Sequence, residues 1–274
     1  MDLIISSFIP PKPLINKFAE YIEKSLPNIH KLIRNSKISF YDFECEKYLC
    51  TADEYLMHND IEDLNSAGYL NEIKEFHYVL DFGHNSVRNH EVNFHKVSEN
   101  LLLSDKFKNV LQTIRKELTE YDIDLKREKD KFILLSPISL GRLPSTSLIE
   151  ETSITQWWPD TEETKYFRKI YNHILMTMHQ IAEDEYINGI WIYGEDAGAL
   201  PQKKDIVFVD GLREAYIKND WESWFNQLLE IDQSIADYKN IFLTSTDKIL
   251  HLKEAKFLDK WFKPNWKKVW TQVK

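Results

Sequence analysis

The sequence predicts an α/β fold in which a mixed or parallel sheet is covered by helices. Three short runs rich in β-branched and aromatic residues, 187–193, 206–209 and 241–243, are bounded by Gly, Asp or Thr. Short apolar strands of this kind are typical of sheets that are buried on both faces. Apolar residues at three-to-four spacing predict helices over 160–181 and 220–238, so that helices alternate with the strands. These two observations carry the assignment.

The chain is expected to form a single unit, 1–274, with two lobes. No repeat, low-complexity stretch or linker rich in Gly, Ser or Pro divides its 274 residues. The apolar fraction of 43% is sufficient for a sizeable core. We expect lobe 1–135 to be α+β, because it combines helical patterns with hairpin patterns, and lobe 136–274 to be α/β.

The elements of the first lobe follow from local patterns. Apolar spacing indicates its helices, alternation indicates its strands, and turn residues separate them. The predicted order is a helix over 14–26 ended by Pro27, a hairpin of 75–82 and 91–97 with its turn at 83–86, a helix capped by Ser104, and a hairpin over 123–135.

Polar residues follow each apolar strand of the second lobe. If these strands are parallel, their carboxyl ends meet at one edge of the sheet, where open α/β sheets bind ligands. Acidic side chains at this edge could together bind a hard cation such as Mg²⁺. The residues concerned are Glu195, Asp196, Asp210 and Asp247. The alternative is that each is a turn or helix-cap residue, a role that Asp often has.

A polar stripe marks the predicted 160–181 helix. Asn172, Met176 and His179 stand at i, i+4 and i+7 and therefore share one face. They could frame a pocket, or they could form a half-buried polar pair against the next strand. The loop Gly194–Gly198 lacks the spacing of a dinucleotide or phosphate loop. We expect its glycines to allow positive φ angles and a close approach of the backbone.

Histidines and cysteines are the remaining candidates for metal or redox chemistry. The first hairpin holds His77, His84, His90 and His95 with Asp81, but no spacing in it fixes a tetrahedral metal site. We expect a solvated polar face there. The two cysteines, Cys45 and Cys50, have neither an adjacent base nor redox-motif spacing and are expected to be inert thiols.

The segment 170–201 resembles RPFE-type regulatory proteins, which are related to cofactor-independent phosphoglycerate mutases of the archaeal type. The matching strings are Ile170–His179 and Ile187–Gly194, followed by Gly198 and Leu200-Pro201. The resemblance implies a mutase-like scaffold and a ligand pocket formed by Asn172, His179, Asn188, Trp191, Gly194 and Gly198. His173 and Leu175 replace the Glu and Gln of the family pattern. The N-terminal segment 1–13 has no D-G-x-[GA]-D metal motif.

Charge and composition narrow the function classes. The formal charge of −9 argues against nucleic-acid binding, and no apolar run approaches the roughly eighteen residues of a membrane span. We expect a cytoplasmic, non-catalytic binding or regulatory protein with no certain cofactor, whose partner is a small ligand or another protein. The alternative is a metal-dependent phosphoryl-transfer enzyme, mutase- or phosphatase-like, which would bind Mg²⁺ or Mn²⁺ through the acidic set.

Overall fold

The computed structural model describes residues 2–58, 76–128, 131–181, 187–194, 206–235, 238, 240–254 and 270. The strands in chain order are β1 (Asp2–Ile5), β2 (Ser36–Asp42), β3 (Phe76–Arg88), β4 (Glu91–Lys96), β5 (Asp124–Glu128), β6 (Lys131–Ser136), β7 (Gly189–Tyr193), β8 (Ile206–Val209), β9 (Asn240–Thr244) and β10 (Lys248–Glu254). The helices are α1 (Ile15–Ser25), α2 (Pro27–Asn35), α3 (Cys45–Tyr48), α4 (Ala52–His58), α5 (Glu99–Leu102), α6 (Asp105–Thr119), α7 (Thr146–Glu151), α8 (Ile154–Trp157), α9 (Lys165–Ile181), α10 (Arg213–Ile217) and α11 (Trp221–Ser234).

The chain divides into two compact units. The first unit combines Met1–Leu64 with Gln202–Lys274, and the second is Asn65–Pro201. These units differ from the expected lobes 1–135 and 136–274. The reason is that β1, at the start of the chain, pairs with β8 and β9, more than two hundred residues later. Local patterns do not show such long-range pairing.

The first unit contains a mixed sheet with the strand order β2-β10-β9-β1-β8. Both β8 and β9 are parallel to β1, and β10 is antiparallel to β9 and β2. Leu3 and Ile5 of β1 lie in a core with the apolar faces of α1, α2 and α11. The register pairs Ile5 with both Val209 and Leu243, so the carboxyl ends of these three strands meet at one edge.

The second unit contains an antiparallel sheet in the order β4-β3-β6-β5. Strand β7 also pairs with β3, from Val79 to Gly83. Its core includes an edge-to-face aromatic cluster of Phe82, Phe107 and Phe132. Trp191 of β7 packs against Phe167 of α9.

The structure confirms the α/β class, the helix α9, the Ser104 cap and the β5–β6 hairpin. Ser104 accepts a hydrogen bond from the backbone N–H of Phe107, at 3.2 Å. The predicted helix over 14–26 is confirmed as α1, which ends at Ser25. Pro27 then begins α2, because Pro at the first helical position loses no intrahelical hydrogen bond. Among the described residues, no helix is both long and apolar enough to cross a bilayer.

The first hairpin forms, but its turn is not at 83–86. Strand β3 continues through these residues, and the turn is Asn89-His90, with φ angles of 51° and 69°. A two-residue loop with both φ angles positive is the arrangement that matches the twist of the flanking strands. Gly83 is therefore a strand residue.

Candidate functional site

The carboxyl ends of β8, β1 and β9 form the edge where an α/β sheet places its ligands. Ser6 and Ser7 follow the central strand β1, and both are buried. The backbone N–H of Ser6 donates to the Val209 carbonyl at 2.9 Å, and that of Phe8 donates to the Thr244 carbonyl at 2.8 Å. The two serines are thus held between the neighbouring strand ends.

A network of Ser6, Ser7, Asp53 and Arg213, here called the strand-end cluster, occupies this edge. The Ser6 hydroxyl donates to Asp53 Oδ2 at 2.7 Å, and Arg213 Nη1 lies 3.5 Å from the same oxygen. Asp53 belongs to α4 and is only 2% exposed. A carboxylate this deeply buried requires charged or hydrogen-bonding partners, which Arg213 and Ser6 supply.

Ser7 has an unusual backbone conformation. Its φ angle is +54°, in the left-handed region that costs a residue with a Cβ about 1 kcal/mol or more. The indole N–H of Trp224 donates to the Ser7 carbonyl at 2.9 Å and helps to hold this turn. Strained backbone held in place by its surroundings is frequent at functional sites.

Chemically, the cluster offers hydroxyl groups, a carboxylate and a guanidinium within hydrogen-bond reach of one another. Arg213 is the member with solvent access, since its side chain is 16% exposed. Sequence reasoning missed this cluster, because its members are separated by 47 and 160 residues. The available signal was the short apolar run Asp2–Ile5 followed by two serines.

Two of the acidic residues predicted as a metal site, Asp210 and Asp247, follow β8 and β9, whose carboxyl ends lie at one sheet edge. Strand β7 belongs to the antiparallel sheet, whereas β8 and β9 flank β1, so the expectation of three parallel strands is wrong. Asp210 is exposed, and its carbonyl accepts from the N–H of Arg213. Glu195 and Asp196 lie outside the described residues.

Asp247 is exposed in the β9–β10 turn and is engaged by neighbours. It accepts a hydrogen bond from Ser245 at 3.2 Å and lies 3.2 Å from Lys248 Nζ. Burial lowers the pKa of Lys248, but hydrogen bonds and charge from Asp42 and Asp247 outweigh burial and raise this pKa above its usual value. Within the described ranges, no group of three or more His, Cys, Asp or Glu side chains is placed to hold a metal.

The polar stripe of α9 and the buried tryptophan lie in different environments. Asn172, Met176 and His179 are exposed, with Met176 62% exposed. Trp191 is fully buried and donates its indole N–H to the Pro144 carbonyl at 2.7 Å. These side chains therefore do not line one cavity. Gly194 has a φ angle of +75°, which confirms the conformational role expected of it, and Gly198 lies outside the described residues.

Asn188 extends the ladder between β3 and β7. Its side-chain oxygen accepts from the Asn85 N–H at 2.6 Å, and its side-chain nitrogen donates to the Asn85 carbonyl at 3.3 Å. Next to it, burial raises the pKa of Tyr171, and a hydrogen bond with the Asn85 side chain partly offsets that rise. The side chain of Asn188 thus takes the place of a neighbouring strand as the hydrogen-bond partner of the Asn85 backbone.

The hairpin face expected to be solvated holds a buried carboxylate. Asp81 is 5% exposed and lies 2.8 Å from Lys96 Nζ, and it accepts a hydrogen bond from Thr146 at 2.7 Å. This expectation is wrong for Asp81, because α7 supplies Thr146 and β4 supplies Lys96 as partners that compensate its charge.

The chain has few matches among known proteins. No family model matches the chain, and no curated protein matches it. One solved structure is similar, the cofactor-independent phosphoglycerate mutase from Thermoplasma acidophilum DSM 1728. The identity is 13%, the match covers 94% of this chain and 90% of that chain, and the TM-score is 0.32. No site or activity is transferred at this level of similarity.

Replacing Asn188 with Ala is expected to lower the free energy of unfolding by about 1.5 kcal/mol, because two backbone groups of Asn85 lose their partners. Asn172→Ala is the matched control, since Asn172 is exposed on α9 and should change stability little. Denaturant unfolding followed by tryptophan fluorescence measures both variants. Equal effects would contradict the structural role of Asn188.

Proposed function

We propose that the chain is a cytoplasmic, non-catalytic regulatory protein that binds a small anionic ligand at the strand-end cluster. The observation that carries the proposal is the Ser6–Asp53–Arg213 network at the carboxyl edge of the parallel strands. The guanidinium provides a fixed positive charge at the position where metal-dependent phosphoryl-transfer chemistry would use a cation. Asp53 is already engaged by Arg213 and Ser6 and is not a free ligand for a metal.

The ligand class follows from the donors of the cluster. Arginine binds phosphate and carboxylate groups through paired N–H donors, and serine hydroxyls add further hydrogen bonds. Arg213 is the partly exposed member, so it is the group that would meet a ligand from solvent. The resemblance of 170–201 to RPFE-type regulatory proteins supports a phosphorylated metabolite over other anions.

Binding of inorganic phosphate and 3-phosphoglycerate to the full chain tests this proposal. Calorimetry should detect binding that is equal in EDTA and in Mn²⁺, because no metal takes part. Arg213→Gln should weaken binding by about tenfold or more, the loss expected for a charged hydrogen bond. Lys218→Gln is the control, since Lys218 is exposed and pairs with Glu214 at the surface.

Arg213→Lys guards against a folding artefact, because it keeps the charge beside Asp53 but loses the paired donors. It should fold as the native chain does and still bind more weakly. Binding that needs Mn²⁺, or that survives Arg213→Gln, would contradict the proposal.

The second candidate is a metal-dependent phosphoryl-transfer enzyme. One observation favours it, namely that the Ser6 hydroxyl lies 2.7 Å from a buried carboxylate, a distance at which a carboxylate can accept the proton of a nucleophile. This enzyme would use Mg²⁺ or Mn²⁺ and would interconvert phosphoglycerates. Metal-dependent turnover that is abolished by Ser6→Ala would establish it in place of the binding protein.

A further inference from the structure

Two histidines of the β3–β4 hairpin stand directly opposite each other. The antiparallel register pairs His84 of β3 with His95 of β4. Directly opposite residues of an antiparallel pair project to the same face, with Cβ atoms about 4.5–5.5 Å apart. Both residues are half-buried.

His84 also has an unsatisfied nitrogen. Its Nδ1 is buried and has no hydrogen-bond partner in the part of the chain that the structure describes. A buried polar atom without a partner costs free energy and calls for an explanation, such as an absent ion. The nitrogen of a neutral imidazole is among the commonest metal ligands in proteins.

We propose that His84 and His95 form a binding site for a divalent transition metal, with water completing the coordination shell. Metal–nitrogen bonds of about 2.0 Å require two imidazole nitrogens about 3 Å apart, which cross-strand histidines at the stated Cβ separation can provide. Imidazole ligands select Cu²⁺, Ni²⁺ or Zn²⁺ over Mg²⁺ and Ca²⁺. Since no third His, Cys, Asp or Glu joins the pair within the described ranges, the metal would be exchangeable.

The cation next to this pair along β4, Lys96, does not oppose a metal ion there. Lys96 is adjacent to His95 in β4 and therefore projects to the opposite face of the hairpin. Its ammonium group lies 2.8 Å from the Asp81 carboxylate, which compensates its charge. The histidine pair belongs to the second unit and is independent of the ligand site proposed for the strand-end cluster.

Metal titration of the full chain tests the proposal, with Cu²⁺, Ni²⁺ and Zn²⁺ used alone at pH 7.5. We expect the highest affinity for Cu²⁺, in keeping with the general order of divalent metals. His84→Gln and His95→Gln should each weaken binding by about tenfold or more. His179→Gln is the matched control, since this histidine is exposed on α9 and should leave the affinity unchanged.

A measurement on the unmodified chain keeps the test valid if a variant fails to fold. Nitrogen hyperfine structure in the electron paramagnetic resonance spectrum of the Cu²⁺-loaded chain should indicate two imidazole ligands. Circular dichroism of the metal-free variants checks their fold. Unchanged affinity in either hairpin variant, an equal loss in His179→Gln, or no binding of any of the three metals would overturn the proposal.

Discussion

Gly83→Ala is expected to lower the free energy of unfolding by about 3 kcal/mol, the upper range for overpacking a close-packed site. A Cβ at this position would lie 2.3 Å from Cζ of Phe94 and 2.6 Å from the carbonyl oxygen of His95. Phe94 is fully buried and cannot move aside without disturbing its neighbours. The carbonyl belongs to the backbone of β4, so relief would require the two strands to separate locally.

Gly211→Ala is the control for this prediction. Nothing lies within 4 Å of a Cβ at Gly211, so alanine there should change the stability little. Denaturant unfolding of both variants measures the difference. Similar stabilities for the two variants would show that β3 and β4 adjust around Gly83, contrary to the packing described above. A smaller residue at Phe94 should rescue Gly83→Ala only in part, because the His95 carbonyl remains.

Local features of the fold could be predicted from the sequence because their causes are local. The helix after Ser104 has its cap, its apolar face and its end within sixteen residues of one another. The second hairpin likewise depends on alternation and a short turn, and the predictions of this helix and this hairpin are confirmed. The predicted turn of the first hairpin is wrong, because glycine favours turns whereas Gly83 is a residue of β3. Its small size instead makes room for the ring of Phe94.

The candidate site could not be predicted, because its residues meet only after long-range pairing. Ser6 meets Asp53 across 47 residues, and Asp53 meets Arg213 across 160 residues. The predicted acidic set depended on β7 being parallel to β8 and β9. Periodicity describes the two faces of a strand but not its partner, and β7 pairs with β3 instead.

The segment 170–201 contains site candidates in two different environments. Asn188 and Trp191 are bonded to the backbone of Asn85 and Pro144, so their side chains hold β7 in place. Asn172 and His179 are exposed on α9. The stability of the second unit therefore explains the first pair of residues without any ligand, whereas the exposed pair has no such explanation.

Replacing Asp232 is expected to cause the second large loss of stability, because this residue caps a helix to which it does not belong. Helix α2 has no side-chain hydrogen bond at its own N-cap, Leu26. Asp232 of α11 instead accepts from the N–H of Ile29 at 2.7 Å and from the N–H and side-chain amide of Asn28 at 3.4 and 3.3 Å. Asp232 and Ile29 are both buried, so water does not replace the bond to the Ile29 N–H when the carboxylate is removed.

Asp232→Ala is therefore expected to lower the free energy of unfolding by about 3 kcal/mol, since the cap is lost and the buried N–H of Ile29 is left without a partner. Asp220→Ala is the comparison, because Asp220 caps α11 locally at an exposed position and its loss lets water satisfy the Ser223 N–H. We expect a clearly smaller loss of stability for that variant. Hydrogen exchange separates the mechanisms, since the amide of Ile29 should exchange faster in Asp232→Ala than in Asp220→Ala at matched overall stability. Equal losses, with unchanged protection of Ile29, would mean that packing between α2 and α11 holds this end of the helix and that the carboxylate does not.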